Sequence, residues 1–534
     1  MNPILPRALL ALIPLLTLLA GGCSNTSLET AEYRTAAYFE TIRDKPEPLA
    51  RFVRAMPKGG DLHNHLSGAV YAEGYIQWAA EDGLCVEVTR MTLVAPTATA
   101  PCDAEAGRPP ASLALTTPWL YNALIDAWSM RNWTPASGVS GHDHFFATFG
   151  KFGAASATNT GKMLAEAASR AAAEELMYLE LMLTPDSGIS RNLGRATGWD
   201  DDLARLRGKL LDRGILTAAA AVTTNLDEME AEVRDQLACG TPAARPGCDV
   251  TLRYQFQVSR GNPKEQVFAQ MVAAFEAARR DPRLVALNLV QPEDGPTAVA
   301  DFSLQMKMLD YLHGVYPGVH IALHAGELVP GLAPPEALTF HIRDSIEVGH
   351  AERIGHGVDV MDEERPVDLM REMARRRILV EICLSSNDAV LGVRGARHPL
   401  RQYQRHGVPV ALATDDAGVL RSSITEEYLK GIREQQLNYR ELKTMARASL
   451  EHAFLTGPSL WRDLNQAQPT AACGSDGVGR LPPSDPCRQF LADSPKARLQ
   501  WELEEALAAF ESDLARDDSR LIPAAALPEP AWAY

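Results

Sequence analysis

Two histidines separated by a single residue, His63 and His65, follow a Gly-Gly pair and a short apolar stretch. Residues i and i+2 of a β-strand point to the same face, so both imidazoles can reach one ion. The chain later offers His324 in His-Ala-Gly-Glu, His356 in Gly-His-Gly, and the pair Asp415-Asp416 after an apolar run. Three histidines and a carboxylate are a ligand set suited to Zn²⁺. The pattern predicts metal-assisted attack of water.

We expect one Zn²⁺ per chain. Its predicted ligands are His63, His65, His324 and Asp415. Barrel hydrolases with two metals often bridge them by a carboxylated lysine near the end of the fourth strand. The corresponding apolar run, residues 284–290, contains no lysine, which favours a single-metal site.

Three further residues are predicted to take part in catalysis. Glu327 follows His324 by three residues, and a partly buried carboxyl there would have a raised pKa and could donate a proton; helix capping is the alternative. His356 is either a fourth histidine ligand or a base that holds the attacking water. Asp416 cannot point the same way as Asp415 on a strand, so one carboxylate can bind metal while the other faces the substrate.

Eight short apolar runs alternate with amphipathic stretches, which predicts an α/β fold with a parallel sheet, a (β/α)₈ TIM-type barrel. The expected barrel domain is 51–456, with insertions at about 83–132 and 200–249, a helical segment at 23–50 and a C-terminal helical extension at 457–534. The chemical residues follow runs one, five, six and eight, at the expected mouth of the barrel. The runs are residues 60–65, 176–183, 252–258, 284–290, 319–324, 353–356, 378–384 and 408–414.

The first 22 residues read as a signal peptide of the lipoprotein type, with Arg7 before an apolar stretch too short to span a bilayer. Cys23 is then the predicted lipidation site, and a plain signal peptide is the alternative. We therefore expect export to the bacterial periplasm or cell envelope, with a lipid anchor as the membrane contact.

Six cysteines fall into close pairs, which an oxidising compartment would close as disulfides, while Cys383 is expected to be a buried thiol. The predicted pairs are Cys85 with Cys102, Cys239 with Cys248, and Cys473 with Cys487. The net charge of −16 and the absence of a basic run argue against nucleic-acid binding. A second histidine pair, His142 and His144, lies in a phenylalanine-rich helical stripe that is better explained as core or as a lid than as a second metal site.

Six segments together resemble the adenosine deaminases of the amidohydrolase superfamily, most closely the secreted adenosine-deaminase-related growth factors. They lie within about residues 55–428: MPKGGDLHNH at 56–65, YLELMLTP at 178–185, HAGE at 324–327, RIGHG at 353–357, SSN at 385–387 and TDD at 414–416. The resemblance implies that Glu327 protonates N1 of the purine and that His356 orients and deprotonates the zinc water. It also implies that Asp416 hydrogen-bonds the purine near N7 and the attacking hydroxyl.

The resemblance further implies a purine nucleoside substrate, adenosine and 2′-deoxyadenosine, contacted by His65, Ser67, Thr184, Gln291 and Asp416. Ser67 stands where the family often has an acid that binds the ribose 5′-hydroxyl, and Gln291 aligns with a glycine that approaches purine N3. Another aminopurine, another single-metal amidohydrolase reaction, or a binding or signalling protein with a vestigial site are the alternatives. The oligomeric state is left open.

Overall fold

The structure is a computed structural model that describes residues 25–516. The predicted signal segment and Cys23 lie outside the described residues. Strands β1–β12 are Gly59–His65, Cys85–Glu87, Thr92–Val94, Leu176–Leu183, Thr251–Ser259, Leu284–Val290, His320–Ala325, Arg353–His356, Leu379–Ile382, Val410–Leu412, Trp461–Asp463 and Gln468–Pro469.

Helices α1–α21 are Asn25–Ile42, Pro46–Ala55, Leu66–Ala69, Ala72–Glu81, Pro118–Ala127, Gly141–Ser156, Thr160–Ala173, Ile189–Thr197, Leu203–Asp212, Leu216–Gln236, Lys264–Ala278, Pro296–Val315, His341–Glu347, Pro366–Arg376, Leu384–Leu391, Leu400–Arg405, Ala417–Leu420, Ile424–Gln435, Tyr439–Glu451, Asp485–Asp493 and Pro495–Arg516. Within residues 25–516, none of these helices is both long enough and apolar enough to cross a bilayer.

Eight parallel strands form the sheet, in the order β1-β4-β5-β6-β7-β8-β9-β10, with helices in the connections. The fold is therefore the expected (β/α)₈ barrel. Strand β6, Leu-Val-Ala-Leu-Asn-Leu-Val, is buried along its whole length, as a strand covered on both faces must be. The ring closes where Asn64 of β1 bridges to Asp415, which follows β10.

Two of the expected strands are shorter than their apolar runs. Strand β9 ends at Ile382, because Leu384 already begins α15. Strand β10 ends at Leu412, so Asp415 and Asp416 lie beyond the strand and not on it. The expectation that these two aspartates alternate along a strand is therefore wrong.

Helical layers outside the barrel include the two ends of the described chain. Helix α1 packs on α21, and Phe52 of α2 contacts the rings of Phe39, Tyr439 and Phe510. The long connection between α4 and α5 carries the small antiparallel hairpin β2–β3. The three cysteine pairs are joined as expected, and Cys383 is free and buried.

Candidate metal centre and active site

Closure of the barrel brings the predicted ligands together. The amide of Asp415 donates to the carbonyl of His63 at 2.8 Å, and the amide of His65 donates to the carbonyl of Asp415 at 3.0 Å. Asp415 has φ +59°, a left-handed conformation that turns the chain away from β10. The closing bridge therefore sets Asp415 directly between the two histidines of β1.

The four predicted ligands converge on one point. One ligand atom from each of His63, His65, His324 and Asp415 lies within 4.8 Å of every other. His65 Nε2 is 3.1 Å from His324 Nε2, and Asp415 Oδ1 is 3.4 Å from His65 Nε2 and 3.5 Å from His63 Nε2. Three ring nitrogens and one carboxylate oxygen facing each other are a possible metal site.

The His63 ring is oriented by a buried carboxylate. Its Nδ1 lies 2.6 Å from Glu381 Oε2, so Nδ1 carries the proton and Nε2 faces the other ligands with its lone pair. His63 Nε2 has no hydrogen-bond partner within residues 25–516. Arg353 fixes Glu381 from the other side, at 2.7 Å, and pairs with Glu180 at 2.6 Å. A carboxylate behind an imidazole is the usual arrangement around a metal-binding histidine.

The other two histidines are oriented in the same sense by amides. Asn288 Oδ1 accepts from the backbone amide of His324 at 2.9 Å, which identifies that atom as the oxygen, and it lies 2.8 Å from His324 Nδ1. His65 Nδ1 is 3.1 Å from Gln257 Oε1. Both rings therefore hold a proton on Nδ1 and present a bare Nε2, as a metal ligand requires.

The charges of the site favour a cation. Burial opposes a charge on His63, but the nearby carboxylates of Asp415 and Glu381 raise the pKa of its imidazole to about 10. Burial would raise the pKa of Asp415, yet His63 and the neighbouring imidazoles hold it well below its usual range. The carboxylates of Asp415 and Glu381 thus stabilise a positive charge at this point, either a proton on His63 or a metal ion. The donor set therefore fits the predicted metal.

Glu327 lies at the edge of this cluster. It is 9% exposed, its Oε1 is 3.8 Å from His356 Nε2, and its backbone amide donates to Glu293 at 2.9 Å. Burial and the charges of Asp415 and Glu293 raise the pKa of Glu327 to about 8. Glu327 lies in the loop after β7 and not in the first turn of a helix, so it does not cap a helix. With a pKa of about 8, it is a protonated carboxyl beside the site at neutral pH.

Asp416 occupies the N-cap of the short helix α17 and faces a glycine. A Cβ at Gly68 would fall 1.5 Å from Asp416 Oδ1, so only glycine allows this approach. Burial and the charge of Asp415 raise the pKa of Asp416 well above its usual value. Asp415 therefore takes part in the ligand cluster, while Asp416, at the N-cap of α17, lies against Gly68.

The remaining predicted substrate residues surround the same mouth. Thr184 follows β4, and its hydroxyl donates to the Gln257 carbonyl at 3.0 Å. Gln291 follows β6 with φ +80°, and its Oε1 accepts from the Gly261 amide at 3.0 Å. The Ser67 carbonyl accepts from Tyr75 at 2.7 Å. The substrate contacts of these residues stay predictions.

Sequence reasoning missed the residues that orient the ligands. Glu381, Asn288 and Gln257 each lie on a barrel strand among apolar neighbours, and Glu381 and Asn288 are fully buried. A polar residue inside a continuous apolar run was the available signal, because such a residue must find a buried partner.

The second histidine pair, His142 and His144, belongs to none of the clusters of potential metal ligands in the described part of the chain. His142 Nε2 lies 3.0 Å from Asp294 Oδ1, and His144 Nε2 lies 3.0 Å from the Ser129 carbonyl. Phe145, the fifth residue of α6, is buried. Both histidines therefore connect α6 to neighbouring segments by hydrogen bonds. The contact of His142 with Asp294 joins α6 to the loop after β6.

Comparisons with known proteins identify the family of the chain. The family model described as adenosine deaminase matches residues 144–460, more than half of the chain. Among curated proteins, the chain is 29% identical over 224 residues to an adenine deaminase of Rhizobium meliloti (strain 1021), covering 42% of this chain and 63% of that protein. It is 36% identical over 193 residues to an adenosine deaminase of Escherichia coli (strain SE11), covering 36% of this chain and 52% of that protein.

Each of these matches spans less than two thirds of the relative's length. Among solved structures, a cog1816 amidohydrolase from Burkhoderia ambifaria, described with bound Zn, is 15% identical. That alignment has a TM-score of 0.49 and covers 88% of this chain and 96% of the other.

Proposed function

The chain belongs to the adenosine deaminase family, and on that premise we propose that it hydrolyses the exocyclic amino group of adenosine and 2′-deoxyadenosine. The products are the corresponding inosine and ammonia. The observation that carries the proposal is the convergence of a three-histidine, one-aspartate set with a buried carboxyl, Glu327, whose pKa of about 8 keeps it protonated. A metal site alone would suit many hydrolases, whereas an acid beside it suits a substrate that must be protonated before water attacks.

The metal in this proposal is one Zn²⁺ held by His63, His65, His324 and Asp415. When bound, it would lower the pKa of a water toward about 7 and polarise the reacting centre. Because oxygen acceptors engage the Nδ1 atoms of the three histidines, each ring can offer its Nε2 to the ion, and on His63 the ion would replace a proton. Water, Zn²⁺ and a purine nucleoside are thus the implied small-molecule partners.

Two carboxyl groups of the chain, those of Glu327 and Asp416, carry the protons during the reaction. Glu327 donates a proton to purine N1, which makes C6 electrophilic, and regains one from the oxygen of the attacking water after the C–O bond has formed. The C–N bond to the amino group then breaks, and ammonia leaves with the second proton of the water. Asp416, buried and with a raised pKa, is the carboxyl available to carry that proton.

Free adenine is the second candidate substrate. Ser67 offers a hydroxyl, where an acid would hold the 5′-hydroxyl of a ribose, and several of the curated relatives are named adenine deaminases. Loss of the ribose contact would weaken the discrimination between nucleoside and base.

An absorbance assay of the zinc-loaded protein with adenosine, 2′-deoxyadenosine, adenine and AMP tests both candidates. The proposal expects kcat/KM for adenosine to exceed that for adenine. A preference for adenine would select the second candidate, and inactivity on all four substrates would contradict deaminase function.

Export and lipid anchoring are proposed together with the function. The basis is the apolar segment before Cys23 and the three disulfides, which persist in an oxidising compartment. Fractionation of cells that express the full chain, beside a Cys23→Ser variant, provides the test. We expect the wild type in the membrane fraction of the envelope and the variant released from it.

A further inference from the structure

His356 differs from the three metal-site histidines in what its Nδ1 contacts. Its Nδ1 lies 2.9 Å from Asn387 Nδ2, and its Nε2 faces the site without a hydrogen-bond partner among residues 25–516. The Nδ1 atoms of the other three histidines all face oxygen acceptors. The direction of the Asn387 amide therefore decides which nitrogen of His356 carries its proton.

The direction of the Asn387 amide follows from the backbone N–H of Leu400, which acts through His398. The N–H of Leu400 can only donate, and it lies 3.1 Å from His398 Nδ1, so His398 Nδ1 is an acceptor. His398 is 3% exposed, and burial together with the charge of Lys430 lowers its pKa to about 4, so the ring is neutral with its proton on Nε2. His398 Nε2 lies 3.0 Å from Asn387, and this contact must therefore be to the amide oxygen.

The remaining amide group of Asn387 is then the NH₂, and it donates to His356 Nδ1. A neutral imidazole that accepts at Nδ1 carries its proton on Nε2. We propose that Asn387 and His398 are positioning residues that hold His356 as an Nε2–H tautomer, so that His356 donates a hydrogen bond to the attacking water and is not its base. This inference rests on the proposed deaminase function for its catalytic part only.

The backbone supports a fixed orientation of this ring. His356 ends β8 with φ +68°, a conformation that costs about 1–2 kcal/mol outside glycine and is kept only when neighbours enforce it. The side chain is fully buried, so water does not compete for Nδ1. With no free lone pair on Nε2, His356 also cannot be a fourth histidine ligand. Of the two roles left open by the sequence, the proposal keeps only the contact with the attacking water and makes His356 its hydrogen-bond donor.

The tautomer can be read without substrate. In zinc-loaded protein labelled with ¹⁵N-histidine, ring nitrogens that carry a proton differ in chemical shift from those that do not, and loss of signals in a His356→Asn variant assigns the ring. We expect a protonated Nε2 at His356 and a protonated Nδ1 at each of the three ligands. A protonated Nδ1 at His356 would overturn the proposal. Inactivity on every aminopurine would instead contradict the proposed function and leave this readout intact.

Variants test the positioning residues. His398→Leu removes the anchor, so Asn387 can rotate, and we expect both tautomers of His356 and a kcat lowered about 10- to 100-fold, the usual scale for groups that orient a working imidazole. KM and zinc content should stay within about 3-fold of the wild-type values. A change of that size is clearly smaller than a tenfold change, which corresponds to about 1.4 kcal/mol. His398→Gln, whose amide can donate in the same direction, should restore the wild-type spectrum and rate.

His406→Leu is the matched control, because His406 lies in the same segment, bonds to the Gln402 carbonyl and has no contact with Asn387. If His398→Leu does not fold, Asn387→Asp replaces it: the carboxylate can only accept, so Nδ1 of His356 must become protonated. A wild-type tautomer in a folded His398→Leu or Asn387→Asp protein would overturn the assignment. So would an unchanged kcat in a variant whose tautomer has changed.

Discussion

Glu381 Oε2 lies 2.6 Å from His63 Nδ1, with both side chains fully buried. The carboxylate fixes the tautomer of His63 and adds negative charge behind a metal ligand. Glu381→Gln keeps the size of the side chain and removes that charge, so we expect zinc affinity to fall about 10- to 100-fold. Competition with a chelator measures it. Glu352→Gln is the matched control, since Glu352 pairs with the partly exposed His320 at 2.8 Å, and equal losses in both variants would contradict a specific role.

The number of metal ions separates the two histidine pairs of the chain. We expect one zinc per chain by elemental analysis, lost together with activity in His63→Ala, because removal of one of four ligands opens the site. His144→Ala is the control within the other pair, since His144 bonds to the Ser129 carbonyl, and it should retain one equivalent. Two equivalents in the wild type would show that a metal site has been overlooked.

Glu327→Gln should keep its zinc and lose turnover. The amide has nearly the same shape, but it cannot supply the proton that purine N1 needs, so we expect kcat to fall by at least about 10²-fold. Metal content and kcat must be measured on the same preparation. A wild-type rate in zinc-loaded Glu327→Gln would exclude Glu327 as the acid. Glu336→Gln, at an exposed position further along the same connection, should behave as the wild type.

The contact between His142 and Asp294 should stabilise the fold in a pH-dependent way. Burial opposes the charge of His142, but its hydrogen bonds with Asp294 and Asp143 raise its pKa to about 9. A pKa raised above the unfolded value of about 6.5 means a stabilising contribution that is complete below pH 6.5 and lost as the pH rises through about 9. We expect a double-mutant cycle of His142→Gln and Asp294→Asn to give a larger coupling at pH 6 than at pH 10.

That cycle uses the free energy of unfolding from denaturant titration at both pH values. The side chains are partly exposed, so added salt should reduce the coupling. A coupling that grows with pH would contradict the charge assignment for His142.

The barrel and the ligand set were predictable because each rests on a local signal. Strands β4, β6 and β8 coincide with their predicted runs. Strands β4 and β6 are mostly apolar, as strands buried on both faces usually are. The ends of β9 and β10 were not predictable from hydropathy, because the chain stays apolar after it has turned. At Asp415 the turn depends on a left-handed φ of +59°. No glycine at this position marks the turn in the sequence.

The groups that orient the site were harder to find, because their partners are far apart in sequence. The role of Asn387 depends on its contact with His356, 31 residues earlier, and on the backbone amide of Leu400, which lies after it in the chain. A sequence shows that a polar residue is buried among apolar ones. It does not show the direction in which the hydrogen bonds of that residue run, and this direction separates a histidine that can bind metal from one that cannot.

Asp415 is both a predicted ligand and the residue that closes the ring against β1. Asp61 reinforces the same seam by accepting from Thr414, 353 residues later in the chain. A cation bound by His63, His65 and Asp415 would therefore cross-link the first and last strands of the barrel, where closure of so long a loop costs the most chain entropy. Metal uptake and completion of the barrel are then one coupled equilibrium, and opening of the metal-free protein would begin at this seam.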